Sequence, residues 1–346
     1  MPTSRFLRRA PVIGLALSFC VGVAVACGAR SRSVPAQLSD EEFWNLSTRL
    51  SEPPGVFRHS ENLVSNEELF PHTIRLLRAR GGVYIGVGPE QNFSYIARIR
   101  PAMAFIIDIR QENRNLHLLY KALFEASANR LEFVSRLFSR EVAAAFDAGA
   151  SAQDLFAAID AAAASSSRYD ATADMVRNRL LDTHGLPLPV EDLRSIEYAL
   201  KAFYLDGPGI HYARLLPKDA PGPSYRALMT AIDARGVARS YLATEDAFAF
   251  VKNLHTRNLI VPIVGDFSGP SAMKGVGDYA RQRGSVVSAF YSSNVEVYLT
   301  NQQMTVFCTN LAALPYESGT WFIGSKGLRP LTSKVKTCAP GLKPSV

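Results

Sequence analysis

A doubly wound, mostly parallel α/β sheet of the Rossmann-like kind is predicted by two features of this 346-residue chain. The first is Gly82-Val-Tyr-Ile-Gly-Val-Gly-Pro-Glu-Gln-Asn92, followed by Phe93-Ser-Tyr-Ile-Ala-Arg-Ile-Arg100 and Ala104-Phe-Ile-Ile-Asp-Ile109. These read as buried strand, glycine turn, amphipathic helix and second buried strand closed by an acid. The second is the continued alternation of short apolar strands with helical stretches, which implies parallel strands covered on both faces.

Asp108 lies 22 positions beyond Gly86, the distance at which a βαβ unit presents a carboxylate to a ribose hydroxyl. Glycines at 86 and 88 suit a turn that bends sharply and admits a ligand closely. The dinucleotide pattern G-x-G-x-x-G asks for glycine at 91, where the chain has Gln91. Glu90 also sets a negative charge where a pyrophosphate would lie. S-adenosylmethionine has no phosphate and carries a sulfonium and an ammonium, so the turn favours a nucleoside-type ligand of that kind over NAD.

Before this unit lies a leader. Arg5, Arg8 and Arg9 precede an apolar run over 12–26 that ends in Ala24-Val-Ala26, the layout of a secretory signal peptide. Cys27 directly after Ala26 also permits lipoprotein processing, and an uncleaved anchor is the remaining reading. All three export the folded part, to the periplasm or to the membrane face that looks onto it. Residues 27–38 are expected to be a flexible tether and 39–346 one domain. Cys20 falls in the leader, which leaves Cys308 and Cys338 free to pair in an oxidising compartment. Closing that loop of roughly 30 residues would contribute about 3 to 4 kcal/mol in the chain-entropy model. The formal net charge is +7, of which the leader arginines supply three, leaving +4. Basic residues are scattered apart from Arg136, Arg140 and their neighbours, and no aromatic-basic ladder points to nucleic acid.

Along the domain, Ser39-Asp-Glu-Glu42 is a capping box that opens a helix to Leu50, and Pro53-Pro54-Gly55 breaks the chain. Ser65-Asn-Glu-Glu68 reads as a second box, opening a helix to about Arg80. After the strands near 83–87 and 104–109, a long helix is expected over about 112–128, carrying His117. Residues 141–205 are rich in Ala and Ser with helical periodicity, a helical insertion on the α/β core. Gly207-Pro-Gly209 and the prolines between 217 and 223 make a loop-rich return. A short strand is expected at Ser240-Tyr-Leu-Ala243, a helix capped by Thr244, and a buried strand over 258–264. A helix over 271–282 and a strand over 285–291 follow. Ser293-Asn-Val-Glu296 reads as another capping box, and a last strand is expected over 320–323.

Ligands of open parallel sheets bind beyond the carboxyl ends of the strands. Four such ends are polar here: Gly86 to Asn92, Asp108 to Arg110, Asp266 to Ser268, and Tyr291 to Glu296. Gly86, Gly88, Glu90, Asn92, Asp108 and Arg110 are the candidate cofactor contacts, and Asp266, Tyr291 and Asn294 the candidates around an acceptor. Several have structural readings of equal or greater weight. Asp266 suits a turn before Ser268, Ser293 and Glu296 suit a helix cap, and Arg110 suits a pair with Asp108 or Glu90. Asp108 has no evident structural task. His117 reads as a packed histidine, and His184, His211 and His255 lack metal-ligand spacing, so no metal is expected. The sequence holds no Gly-x-Ser-x-Gly elbow, His-Glu-x-x-His or Walker loop.

The runs GVYIGVGPEQNFSYIARIRPAMAFIIDIR, HLLYKALFE, FVSRLFSR, RSYLATEDAFAFVKNLHTRNLIVPIVGDFSGP and AFYSSNVEVYL resemble those of an uncharacterised bacterial family described only as hypothetical or methyltransferase-like. The resemblance spans roughly residues 40 to 325 and implies a class I S-adenosylmethionine-methyltransferase-like fold, a seven-stranded-type sheet with 141–205 outside it. It implies no substrate. The chain departs from the family at Phe322-Ile-Gly-Ser325, where relatives read Phe-Ile-Arg-Ser, which removes any anion contact by that arginine. It departs from typical methyltransferases at Tyr84, in place of the acid before the first glycine, and at Glu90, in place of the third glycine. Two functions follow as expectations: a methyltransferase-like enzyme using S-adenosylmethionine on an unknown small acceptor, or an exported non-enzymatic binding or structural protein that keeps the fold without the donor.

Overall fold

The computed structural model describes residues 1–2, 33–57, 61–142, 147–212, 214 and 222–338. The leader with Cys20 and Cys27, the alanines at 143–145 and most of the 217–223 return lie outside the described residues. Met1–Ser31 and Arg32–Val346 are separate units, and the fold is that of the second.

A six-stranded sheet is its centre, ordered β3-β2-β1-β4-β5-β6. The strands are β1 (Val83–Gly86), β2 (Met103–Asp108), β3 (Ile260–Val264), β4 (Val287–Ser293), β5 (Tyr316–Gly324) and β6 (Gly327–Pro330). All neighbours are parallel except β5 and β6, which form an antiparallel hairpin at the edge. The molecule is thus a mostly parallel, Rossmann-like α/β sheet. Every residue of β1, β2 and β3 is buried, the continuous apolar run that a sheet covered on both faces requires. A seventh strand does not form among the described residues, because Pro330 ends β6 and the chain turns into α13 (Leu331–Cys338).

Between β1 and β2 runs α3 (Gln91–Ile99), and after β2 comes α4 (Gln111–Ala126); α1 (Asp40–Leu50) and α2 (Phe70–Leu76) precede β1. Following α4 are α5 (Arg130–Leu137), α6 (Ala152–Ala161), α7 (Ser166–Asn178), α8 (Val190–Asp206), α9 (Tyr225–Thr230) and α10 (Glu245–Thr256). Beyond β3 come α11 (Ala272–Gln282) and, after β4, α12 (Asn301–Ala312). Crossovers between parallel strands are right-handed as a rule, and the strand order then puts the helices of β1–β2–β3 on one face and those of β3–β4–β5 on the other. Accordingly α10 packs on α3 and α4, while α11 packs on α1 and α12. Among the described residues of 141–205, helices α6 to α8 form the helical stretch, and Ala164 makes one bridge to Arg140; α8 lies along α4. Cys338 reaches back to Cys308 on α12, forming a disulfide with its Cα atoms 5.4 Å apart.

Three local expectations are corrected. Ser65 caps no helix: its N–H donates to the buried Glu90, and α2 begins later, with Pro71 in its first turn. The segment at 240–243 is a turn, closed by Ala243 N–H onto the Ser240 carbonyl, with Tyr241 N–H donating to Ser94 Oγ. Ser293 and Glu296 form no capping box, because Ser293 donates to Glu67 and Glu296 pairs with Lys334. The box that opens α12 is Thr300 with Gln303. The expected boxes and caps at Ser39 and Thr244 are present.

Candidate functional site

Strand order reverses between β1 and β4, and beyond the carboxyl ends of β1 to β4 lies a cleft of about 600 Å³. Gly88, Asp108, Arg110, Asp266, Tyr291 and Asn294 all line it. Parallel registry is the reason: Asp108 pairs with Val264 across β2 and β3, so the segments after them emerge together. The lining also has an apolar and aromatic wall, built from Val56, Phe57, Tyr212, Val297 and Tyr298. Phe57 meets Tyr298 edge-on at 5.0 Å. A second hollow, of about 20 Å³ between α7 and α8, has little more room than one water needs and lies elsewhere.

Gly86, Glu90 and Asn92 are not among the lining residues. Asn92 is buried and donates from Nδ2 to the carbonyls of Val87, Gly88 and Pro89 at 2.9, 3.1 and 2.7 Å, while its Oδ1 accepts from Tyr84 Oη at 3.0 Å. It holds the turn from behind. A Cβ on Gly86 would clash with Asn92 Oδ1 and the Tyr84 ring, so this glycine admits a neighbouring side chain instead of a ligand. Gly88 is the residue with φ of +77°, and a Cβ there would meet nothing within 4 Å. The left-handed turn and the open approach therefore belong to Gly88 alone.

Glu90 is fully buried, and its carboxyl accepts from Ser65 N–H at 3.1 and 3.2 Å. Burial pushes it up to about 8, against the lowering effect of that N–H. Turned away from the cleft and largely protonated at neutral pH, it neither repels a pyrophosphate nor attracts a sulfonium. Glu90 therefore does not discriminate against NAD, contrary to the expectation from its position in the turn. His117 donates from Nε2 to the Gly88 carbonyl at 2.9 Å, and burial lowers it to about 4, so it is a neutral support of the turn.

Asp108 does have a structural task. Arg110 donates to its two oxygens from Nε at 3.0 Å and from a terminal nitrogen at 2.9 Å, and Arg110 N–H adds a third bond at 3.0 Å. Arg110 also reaches the Asn62 carbonyl at 3.3 Å. Two of these bonds fall on Oδ1 and one on Oδ2, so the acceptor capacity that remains is on Oδ2. Asp266 shapes a turn, accepting from Ser268 N–H and Oγ at 2.7 and 2.8 Å through Oδ1. Its own N–H donates to Glu52, whose carboxylate also takes the N–H groups of Ser271 and Ala272 at the start of α11. Asn294 Nδ2 lies 3.5 Å from Tyr298 Oη.

Sequence reasoning missed Glu67, Tyr298, Tyr212, Gln303 and the role of Phe57. Glu67 was read into a helix cap, yet it meets Ser293 across 226 positions, a pairing with no local signature. The aromatic wall comes from loops and a 3₁₀ turn with no periodicity to read.

The family model for a domain of unknown function, DUF7790, matches residues 62–182 and 223–334. The chain belongs to the DUF7790 family. Gly88, Asp108, Asp266, Tyr291 and Asn294 fall within the matched segments of this DUF7790 domain, whereas Val56, Phe57 and Tyr212 fall outside them. No curated protein matches the chain. Among the described residues of the DUF7790 protein, no group of three or more His, Cys, Asp or Glu side chains is placed to hold a metal ion, and no helix is long and apolar enough to cross a membrane.

Proposed function

We propose that the cleft holds an adenosyl-type nucleoside, S-adenosylmethionine first among them, and that the protein is an exported methyltransferase-like enzyme with a class I fold. The observation that supports this most is the meeting of the open Gly88 turn with Asp108 at the switch point of the sheet. The residues fit the group. Asp108 would take a ribose hydroxyl with the lone pair that Arg110 leaves on Oδ2, and the Gly88 turn would lie near the methionyl part. Among the described lining residues that carry charge, Asp108 and Asp266 stand against Arg110, which already serves Asp108. That balance suits a cationic ligand better than a pyrophosphate. Bound there, S-adenosylmethionine supplies an electrophilic methyl group. Asp266, Tyr291 and Asn294 would orient an acceptor beside it, the positioning such a transfer mainly needs.

The second reading is an exported binding protein that retains the fold without the donor. Arg110 clasping Asp108 favours it, and the Cys308–Cys338 disulfide suits an oxidising compartment where a cytosolic metabolite is not supplied. Incubating the protein with methyl-labelled S-adenosylmethionine and an extract of envelope small molecules separates the two. Label transfer that disappears in Asp108→Ala supports the enzyme; binding without transfer to any component supports the alternative.

A further inference from the structure

At the end of β4 the backbone does something costly. Ser293 adopts φ of +49°, a left-handed conformation disfavoured for a residue with a Cβ. The register between β4 and β5 also slips between Tyr291 and Ser293. Such bulges re-aim a side chain, and strained residues gather where a ligand is handled. Here both changes act on one hydroxyl. Ser293 lines the cleft, its carbonyl accepts from Ser325 N–H at 2.8 Å, and its Oγ donates to the Glu67 carboxylate. Tyr291 also hydrogen-bonds that carboxylate, and Tyr84 and Tyr95 are close enough to feel its charge. Glu67 is absent from the lining while Ser293 and Tyr291 are present, so these two hydroxyls connect the carboxylate to the cleft, the serine from its strained position.

We infer that Ser293 and Glu67 form an acceptor subsite for a protic group, a hydroxyl or an ammonium, on a ligand whose apolar body packs against Phe57, Val297 and Tyr298. Because Ser293 Oγ gives its proton to Glu67, its lone pairs are left to accept from the ligand. If the ligand's proton moves, its bond to the ligand atom breaks as one to Ser293 Oγ forms, and the serine proton passes to Glu67. A hydroxyl is left as the alkoxide or phenolate and an ammonium as the free amine. Ser293 and Glu67 are therefore positioning residues for the reactive group, with Glu67 acting through the serine. A burial-raised carboxyl agrees with this use. The inference rests on the reading of the cleft as a substrate site, but not on which cofactor shares it.

The test compares 4-nitrophenol with 4-nitroanisole, which has the same body and no donor, titrated into the intact chain. In buffer acidic enough to keep the phenol protonated, wild type should bind the phenol roughly two- to tenfold more tightly than the ether, the difference one hydrogen bond to a neutral hydroxyl makes. Glu67→Gln and Ser293→Ala should each abolish that preference while binding the ether as before. In protein labelled at glutamate carboxyls, the Glu67 ¹³C resonance should shift on adding the phenol, and stay in place in Ser293→Ala. No saturable binding of the phenol, equal affinity for phenol and ether in wild type, or a preference that survives Glu67→Gln would each overturn the inference. S-adenosylmethionine titrated separately decides the cofactor reading, so one can fail without the other.

Discussion

Arg110 holds Asp108 two-handed at the floor of the cleft, at 3.0 and 2.9 Å, with both side chains over 90% buried. Geometry of this kind is a fork-to-fork charged hydrogen bond, stronger and more directional than a surface pair. Removing one partner leaves the other charge buried and unpaired. Arg110→Ala is therefore expected to lower stability in urea unfolding by about 3–5 kcal/mol, and the double change Asp108→Asn with Arg110→Met to recover much of the loss. If Arg110→Ala unfolds like wild type, the pair does not organise the site.

The two glycines of the turn should respond differently. Gly86→Ala drives a methyl into Asn92 and Tyr84, a clash within a closed network, and should cost several kcal/mol or prevent folding. Gly88→Ala has open space and meets only the left-handed backbone, which costs about 1–2 kcal/mol. Thermal unfolding of both variants should give the larger loss for position 86, with the fold intact and ligand affinity impaired for position 88. The reverse order would mean that the roles assigned to the two positions are exchanged.

Glu90 makes stability fall as pH rises from 4.5 to about 8. Its carboxyl sits near 4.5 when unfolded and about 8 when folded, so the native state holds the proton more tightly. Its contribution is intact below 4.5 and is lost as pH rises toward 8, by at most about 4–5 kcal/mol. Glu90→Gln should flatten that part of the stability profile and gain most at pH 8. An unchanged slope between pH 5 and 8 in this variant would place the source elsewhere.

His117 acts at the other end of the scale. Its imidazole is near 6.5 when unfolded and lowered to about 4 when folded, so protonation favours the unfolded chain. The stability it contributes is present above 6.5 and falls away as pH drops toward 4, by about 3 kcal/mol. His117→Gln keeps a donor for the Gly88 carbonyl and removes the titration. Acid unfolding followed by circular dichroism should shift to lower pH in that variant; an unshifted midpoint would rule His117 out as the acid trigger.

What sequence made legible follows a physical line. β1, β2 and β3 were readable because a strand buried on both faces must be apolar throughout, and the 22-residue spacing from Gly86 to Asp108 is fixed by one βαβ turn of chain. The convergence of Asp108, Asp266, Tyr291 and Asn294 followed from parallel strands alone. Individual side-chain directions did not. Glu90 and Asn92 stand in the same turn as Gly88, yet both point inward, because the preceding segment delivers Ser65 N–H to one and the turn's own carbonyls satisfy the other. Glu67 lay inside the expected Ser65–Glu68 capping box and is instead tied to Ser293 through tertiary structure. The last strand was legible over 320–323 within β5, whereas β6 and the helix α13 escaped notice because their mixed polar residues carry weak local preferences.

The central claim is that this cleft binds an adenosyl ligand through Asp108. Isothermal titration of the purified chain with S-adenosylmethionine, in wild type and Asp108→Ala, measures it most directly. The expected result is one saturable site per chain in wild type, weakened tenfold or more in the variant, with NAD binding more weakly than S-adenosylmethionine. Absence of S-adenosylmethionine binding in wild type, equal affinity in Asp108→Ala, or tighter binding of NAD would contradict it.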